Sequence, residues 1–149
     1  MTKQKCELRH SLLVEVPFFD VDSMDIVWHG HYVKYLELAR CAFLRALNYD
    51  YKVMRDNGYG WPVVQLQLKY VRPAVFGQKI RIETILKEYE SCLKFDYVIT
   101  EANSGKKLTK GSTMQVAVCM TSGETQFQTP NSWLQAVENA MINGLKEDV

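Results

Sequence analysis

The sequence predicts an α+β fold, with one long helix packed on a bent antiparallel sheet of about five strands and a helix at the C-terminal end. Two observations carry this prediction. A stripe of apolar residues at helical spacing begins after Gly30, and segments that alternate apolar with polar residues follow one another between residues 63 and 120. The chain has 149 residues, 47% of them hydrophobic, which is enough for one core. We therefore predict a single domain over residues 1–149.

The long helix follows a first strand and a short polar passage. Residues 6–16 are rich in leucine and valine, which predicts a strand, and Pro17 ends its regular pairing. From Gly30 onward, one helical face carries Tyr32, Leu36, Ala39, Phe43 and Leu47. Alanines at 39, 42 and 46 keep part of this helix narrow, as a helix must be when a sheet lies close around it. We expect it to form the hydrophobic centre of the fold.

The remaining elements come after this helix. A short helix is predicted over residues 51–56, and strands over residues 64–70, 79–88, 93–99 and 108–120. Hairpin spacing between successive strands indicates antiparallel pairing. Asn131 and Ser132, which follow a proline, are expected to cap the C-terminal helix. Its apolar residues are Leu134, Val137, Met141 and Leu145.

Composition excludes several classes of protein. The 18 basic and 17 acidic residues give a net charge of +1, so no global field attracts nucleic acid or an anionic membrane. No run of apolar residues is long enough to span a bilayer, and no apolar segment follows the N-terminal lysines. The four cysteines are scattered, as in proteins with reduced thiols. We expect a cytoplasmic protein with no nucleic-acid partner and no membrane insertion.

The stretch from Pro17 to Tyr32 concentrates the reactive side chains. It holds acidic residues at 20, 22 and 25 and two histidines, His29 and His31, on either side of a glycine. The stretch lies between a strand and a helix, where free N–H groups can face an anionic centre. Read residue by residue, Asp22 and Ser23 could equally be helix caps, and the histidines could be solvated loop residues.

The spacing in this stretch resembles a known signature. Asp20-x-Asp22-x-x-x-Ile26-Val27-Trp28-x-x-x-Tyr32, followed by Leu36-Glu37-x-Ala39-Arg40, is similar to the motif of the 4-hydroxybenzoyl-CoA thioesterase family and of the acyl-CoA thioesterases associated with the Tol–Pal envelope system. Two positions differ: Asp25 stands where the family usually has glycine, and His31 where it usually has asparagine. The resemblance implies the hotdog fold over nearly the whole chain.

The resemblance also implies roles for residues of the site. Asp22 matches the catalytic carboxylate, as nucleophile or general base, and the backbone N–H of His29 matches a donor to the oxyanion. Trp28, His31 and Tyr32 are expected to bind or shape the substrate. Chains of this fold usually place the site between two subunits, so a homodimer or homotetramer is expected.

The residues themselves agree with thioester chemistry. Hydrolysis of a thioester needs one carboxylate and N–H donors for the oxyanion, and no G-x-S-x-G segment indicates a serine hydrolase. Phosphates on coenzyme A (CoA) call for basic residues, for which Lys106 and Lys107 are candidates. The two histidines lack further ligands at metal spacing, so we predict neither a metal nor another cofactor. The substrate would be an acyl- or aroyl-thioester of CoA or of an acyl carrier protein.

Two other functions remain open from the sequence. A hotdog dehydratase would use a histidine as its base, but the H-F-P-G signature of such enzymes is missing. A non-catalytic hotdog protein could bind acyl-CoA without turnover, although the retained Asp22 favours an enzyme. We interpret Asp20, the first aspartate of the motif, as structural.

Overall fold

The computed structural model describes residues 7–146. In chain order its elements are β1 (Arg9–Glu15), a 3₁₀ turn (Phe18–Asp20), α1 (His31–Ala46), α2 (Tyr51–Asp56), β2 (Tyr59–Gly60), β3 (Val63–Tyr70), β4 (Lys79–Glu88), β5 (Leu93–Glu101), β6 (Lys107–Gln115), β7 (Val118–Cys119) and α3 (Asn131–Asn143). The first strand was expected from residue 6, and Cys6 lies outside the described residues.

Five of the strands form one antiparallel sheet in the order β1-β4-β5-β6-β3, which confirms the predicted sheet. The hairpin spacing correctly indicates β4, β5 and β6 as consecutive neighbours, but β3 pairs with β6 and not with β4. The connection from β3 to β4 explains the difference. It is bonded to the passage before α1, since Ala74 accepts a hydrogen bond from the N–H of Val27, and it thereby carries the chain across to the far side of the sheet.

Helix α1 forms the centre of the core, as its apolar stripe predicts. Each residue of that stripe is almost completely buried, and so are the three alanines. The sheet contributes Ile80, Ile82, Phe95 and Ile99 to the same cluster. Gly111 on β6 allows the close approach, because a Cβ atom there would lie 3.1 Å from Cδ1 of Leu36. Each large side chain buried in this way contributes about 1.5–3 kcal/mol.

The second half of the signature lies on α1 and joins it to α2. Leu36 and Ala39 face the core, and Arg40 is buried although it is charged. The Nε of Arg40 donates to the hydroxyl of Tyr51 over 2.8 Å, and its guanidinium pairs with Glu37. The arginine therefore holds α2 against the central helix.

Two predicted elements differ from the structure. The last strand was expected to continue to residue 120, but β6 ends at Gln115, whose side-chain amide donates to the carbonyl of Trp61 over 2.7 Å. The chain then leaves the main sheet, and β7 forms a separate ribbon with β2. At the start of α3 no side chain caps the helix, and Ser132 instead shares a hydrogen bond of 2.7 Å with the hydroxyl of Tyr49.

Cys41, Cys92 and Cys119 are free thiols. Within residues 7–146, every helix is too short or too polar to cross a bilayer.

Candidate active site

The acidic passage, residues 17–30 between β1 and α1, folds into a small loop with Asp22 on its exposed side. Val21 bridges Val27, and the N–H of Asp22 donates to the carbonyl of Ile26 over 2.9 Å. The N–H of Asp25 donates back to the carbonyl of Asp22 over 3.0 Å, which closes the turn. Asp25 has a φ of +61°, a left-handed conformation that glycine adopts freely and that aspartate tolerates better than most residues. The usual glycine and this aspartate therefore fit the same turn.

Asp20 is the buried anchor of the passage. Its carboxylate is 1% exposed and accepts hydrogen bonds from the ammonium of Lys34 and, over 2.7 Å, from the hydroxyl of Tyr35. The Nδ1 of His31 lies 3.9 Å away. All three partners belong to the first turns of α1, so Asp20 fixes the passage to the start of the helix. This confirms its structural interpretation.

Electrostatics keep the buried Asp20 charged. Burial alone would raise the pKa of its carboxyl group, but the hydrogen bonds from Lys34 and Tyr35 outweigh burial and lower that pKa below its usual value. The pKa of Tyr35 is raised by burial and by its bond to the same carboxylate. The start of α1 therefore contains a charged cluster around a buried carboxylate, in contrast to the exposed carboxylate of Asp22.

The carboxylate of Asp22 faces solvent. One oxygen accepts a hydrogen bond of 2.8 Å from the N–H of Met24, which fixes the side-chain direction without enclosing it. Within residues 7–146 this is the one hydrogen bond of the Asp22 carboxylate. An exposed acid in a defined rotamer is available to a ligand or to water.

The peptides just before α1 present two oriented N–H groups. The carbonyl of Trp28 accepts from the N–H of His31 over 2.9 Å, and the carbonyl of His29 accepts from the hydroxyl of Tyr70 over 2.8 Å. Because a peptide is planar, these bonds also orient the N–H groups of His29 and Gly30. Neither N–H has an acceptor among the residues that the structure describes. They are therefore free to bind an anion at the positive end of the helix.

Three rings cover this helix start. The indole of Trp28 lies 5.0 Å from the ring of His29 and 5.3 Å from that of His31, measured between centroids. The indole also crosses Gly30, where a Cβ atom would be only 2.2 Å from its nearest ring carbon. Glycine at this position is therefore what permits the observed position of Trp28.

We expect Gly30→Ala to displace the Trp28 ring without unfolding the chain. Trp28 is 51% exposed, whereas Trp61 and Trp133 are 7% and 0% exposed, so a soluble quencher reports mainly on Trp28. Acrylamide quenching should increase in this variant. The backbone of Gly30 is already helical, so the melting temperature should change little. Gly60→Ala is the control, because its Cβ would meet only the Met120 sulfur, at 4.0 Å. Unchanged quenching in Gly30→Ala would contradict the described packing.

The other residues expected to bind substrate lie in different surroundings. Tyr32 is buried, and its hydroxyl accepts from the N–H of Ala74 over 3.0 Å, so its contact with substrate stays a prediction. Lys106 is the last residue of the turn between β5 and β6, and Lys107 is the first residue of β6. That turn is at the end of the sheet that carries the passage, because the next residue, Leu108, accepts from the N–H of Val71. The two lysines make no ion pair with any described residue.

Tyr70 is the residue that the sequence did not single out. Its hydroxyl orients the carbonyl of His29, and its ring packs against Tyr32 at a centroid distance of 5.1 Å. The sequence feature that could have indicated it was a tyrosine at the end of β3, where an apolar ring can face the core while its hydroxyl reaches a loop.

Within residues 7–146, no group of three or more histidine, cysteine, aspartate or glutamate side chains is arranged to hold a metal ion.

Comparison with known proteins shows the family of this chain. The family model described as "Thioesterase-like superfamily" matches residues 16–138 of this chain. The chain belongs to the thioesterase-like superfamily.

Curated relatives of this thioesterase-like chain match it over part of its length. YneP of Bacillus subtilis is 30% identical over 76 residues, which cover 51% of this chain and 55% of that protein. Acyl-CoA thioesterase YbgC of Helicobacter pylori is 35% identical over 74 residues, or 49% of this chain and 53% of that protein. The chain thus spans about half the length of these two relatives.

Solved structures show the hotdog fold for this thioesterase-like chain. A hypothetical protein from Thermus thermophilus superposes with a TM-score of 0.77 at 28% identity, covering 87% of this chain and 97% of that one. A 1,4-dihydroxy-2-naphthoyl-CoA thioesterase from Synechocystis superposes with a TM-score of 0.79 at 17% identity, covering 88% and 96%. The second likeness is one of fold alone.

Proposed function

We propose that the chain hydrolyses an acyl- or aroyl-thioester of CoA or of an acyl carrier protein to a free acid and a thiol. The observation that carries the proposal is the exposed Asp22 carboxylate in the loop that leads into a helix start at which the N–H groups of His29 and Gly30 are oriented and unused. Membership of the thioesterase-like superfamily and the name of the Helicobacter pylori relative support the same reaction.

Asp22 would act in one of two ways. As general base it takes a proton from water, whose oxygen attacks the thioester carbonyl; the intermediate then expels the thiolate, which receives that proton. As nucleophile it forms a mixed anhydride and releases the thiolate, and water then hydrolyses the anhydride. In both routes the carbonyl oxygen becomes an oxyanion, which the N–H of His29, with that of Gly30 as a second donor, would stabilise.

The remaining site residues would bind the carrier and the acyl group. The Trp28 indole and the His31 imidazole form a partly exposed aromatic surface next to these N–H groups. Tyr32 would shape the site from below through its contact with Tyr70. Lys106 and Lys107, at the same end of the sheet, would meet the phosphates of CoA. The proposal includes neither a metal nor a cofactor.

The active form would be a homodimer or homotetramer that shares its sites across an interface. Strand β3 is an edge strand that is exposed over most of its length, and unpaired edges of this kind bind other strands. Further apolar side chains are exposed around the acidic passage. They are Phe18, Phe19, Met24, Val75 and Phe76. A second copy that covers them would complete the walls of a site which one copy leaves open.

Light scattering should therefore give at least twice the chain mass of 17.2 kDa. Leu66 on β3 is 39% exposed, and Leu66→Lys would bring a charge to the proposed interface. This variant should shift the population toward monomer and lower the activity at the same total concentration. Lys52→Glu on α2, away from the β3 edge, serves as a charge-changing control. A wild-type monomer with full activity would contradict the shared site.

We place this activity in the cytoplasm, as a single hotdog domain over residues 1–149. The three described cysteines, all free thiols, support a reducing compartment.

Thiol release tests the proposed reaction. The purified chain should release free thiol from at least one of a panel of short, long and aromatic acyl-CoAs and acyl carrier protein thioesters. Binding of acyl-CoA without thiol release would instead favour a non-catalytic protein. Dehydration of a 3-hydroxyacyl thioester without thiol release would favour a dehydratase.

A further inference from the structure

The outer face of the sheet, which points away from α1, carries a groove of about 790 Å³ across β3, β4, β5 and β6. Four lysines and one acidic residue line it: Lys69, Lys87, Lys107, Lys110 and Asp96. The chain as a whole has a net charge of only +1, so positive charge is concentrated on this face. We propose that this groove is a docking surface for an acidic carrier protein. The inference rests on the proposed function, because it names the carrier of the thioester.

The basic residues of this face form ion pairs within the chain in one half of the face and not in the other. Near β1, Arg9 is bonded to Glu7 and to Glu83 over 2.9 and 2.6 Å, and Lys87 is bonded to Glu7 over 2.8 Å. Near β3 and β6, the lysines at 69, 107 and 110 make no ion pair with any residue from 7 to 146. The cations of one half are thus neutralised within the chain, and those of the other half are available to a partner.

Lys69 and Lys110 oppose one another directly. They are cross-strand partners in the antiparallel pairing of β3 with β6. Side chains in such positions have Cβ atoms about 5 Å apart, and like charges there destabilise a sheet. An arrangement that costs stability without a compensating contact is expected at a functional surface. An acidic group placed between the two ammonium groups would remove the repulsion.

The size of the groove favours a protein over a small anion. Lys87 on β4 and Lys107 on β6 lie near opposite ends of the groove. With about 3.4 Å per residue and about 4.8 Å per strand, the pairing places them about 20 Å apart. A single phosphate would fill only a small part of a groove of this length, whereas an acidic helix, about 10–12 Å across, would lie along it. Gln67 and Ser112, which also oppose one another, would offer hydrogen bonds between the lysines.

Other occupants fit this face less well. A two-fold contact between two copies of the same face would set cations against cations. The exposed phenylalanines that could enter a lipid surface, Phe18, Phe19, Phe76 and Phe127, all lie outside the groove. Arginine, which nucleic-acid sites favour for its paired contacts to phosphates, is missing from the groove lining. Carboxylates spread over a protein surface match separate lysines better.

Lys110→Glu tests the proposal, because it replaces the repulsive pair by an attractive one and lies on β6, inside the sheet and away from the β3 edge. It should raise the melting temperature slightly and weaken binding of acyl carrier protein at least about tenfold. The probe is carrier protein without an acyl group, titrated at about 50 mM salt and again at about 200 mM, where screening should weaken binding. Lys52→Glu makes the same charge change on α2 and should bind like the wild type. Thiol release from acyl-CoA should be unchanged in both variants.

These measurements separate the inference from the proposed function, since binding of the unloaded carrier needs no hydrolysis. Carrier protein that does not bind the wild type, or binds Lys110→Glu equally well, would overturn the inference while leaving thioester hydrolysis intact. Lys107, at one end of the groove, is also proposed to meet the phosphates of CoA, whereas Lys110 is not. A higher KM for acyl-CoA in Lys110→Glu would overturn the inference too, since the middle of the groove would then bind the nucleotide of CoA. Tighter binding of a short DNA duplex than of carrier protein would also overturn the inference.

Discussion

Asp22→Asn should lower the kcat of thioester hydrolysis by a factor of about 100 or more, because a positioned base contributes at least that much. Asparagine keeps the volume of the side chain and an oxygen that can accept from the N–H of Met24, but it removes the negative charge. The side chain is exposed, so the free energy of unfolding should change by less than about 0.5 kcal/mol. Thiol release under saturating substrate, with urea unfolding alongside, measures both quantities.

Asp25→Asn is the matched control, since it makes the same chemical change three residues away in the same turn. Asparagine tolerates the positive φ of this position as aspartate does, so fold and kcat should both be retained. His31→Asn, which restores the residue usual in the resembling family, should also remain active. A dehydratase would show the opposite order, with a histidine variant inactive and Asp22→Asn active. Wild-type rates of thiol release from Asp22→Asn would refute the assigned role.

Asp20→Asn should destabilise the chain by about 2 kcal/mol, because it weakens hydrogen bonds to a buried charged group. The ammonium of Lys34 and the hydroxyl of Tyr35 would both lose their anionic acceptor. Lys34→Gln should cost less, since the Lys34 side chain is 42% exposed and Asp20 would keep its bond from Tyr35. Asp22→Asn, the same exchange two residues further along, is the control for stability. Equal midpoints of urea unfolding for the two Asp→Asn variants would contradict the anchoring role of Asp20.

The contribution of Asp20 should also depend on pH. Its pKa is lower in the folded chain than in the unfolded chain, so the unfolded state binds the proton more readily. The stabilisation is therefore complete above the unfolded pKa of about 3.9 and is lost as the pH falls through the lower, folded value. The difference in unfolding free energy between wild type and Asp20→Asn should be constant near neutral pH. It should shrink below about pH 4.

The sequence could predict those elements that depend on residues close together in the chain, and it could not predict features that depend on contacts between distant residues. The stripe from Tyr32 to Leu47 and the alternation in β4 and β5 depend on local periodicity, and these elements were predicted almost to their ends. The partner of β3 depends on where the following connection runs, which periodicity does not contain. The end of β6 depends on the bond from Gln115 to Trp61, between residues 54 positions apart.

The same distinction between local and long-range interactions applies to the candidate site. The motif located Asp22 and the start of α1 because their spacing is a property of the chain itself. The contact of Tyr70 with His29 spans 41 residues and had no counterpart in the motif. The burial of Tyr32 and the groove on the outer face depend on how the elements pack, and the spacing of charged residues along single strands did not predict them.

The order of strands in the sheet has a consequence for how the chain folds. Hairpins β4–β5 and β5–β6 join neighbours in sequence, whereas β1 reaches its partner β4 only after closing a long loop, as in the pairing of Arg9 with Ile85. Loop closure of that length costs entropy before any contact repays it, so the hairpins should form early and β1 should dock late. The acidic passage extends directly from β1. The proposed catalytic residues would thus be positioned in the closing steps of folding, and substitutions within the passage should change the unfolding rate more than the folding rate.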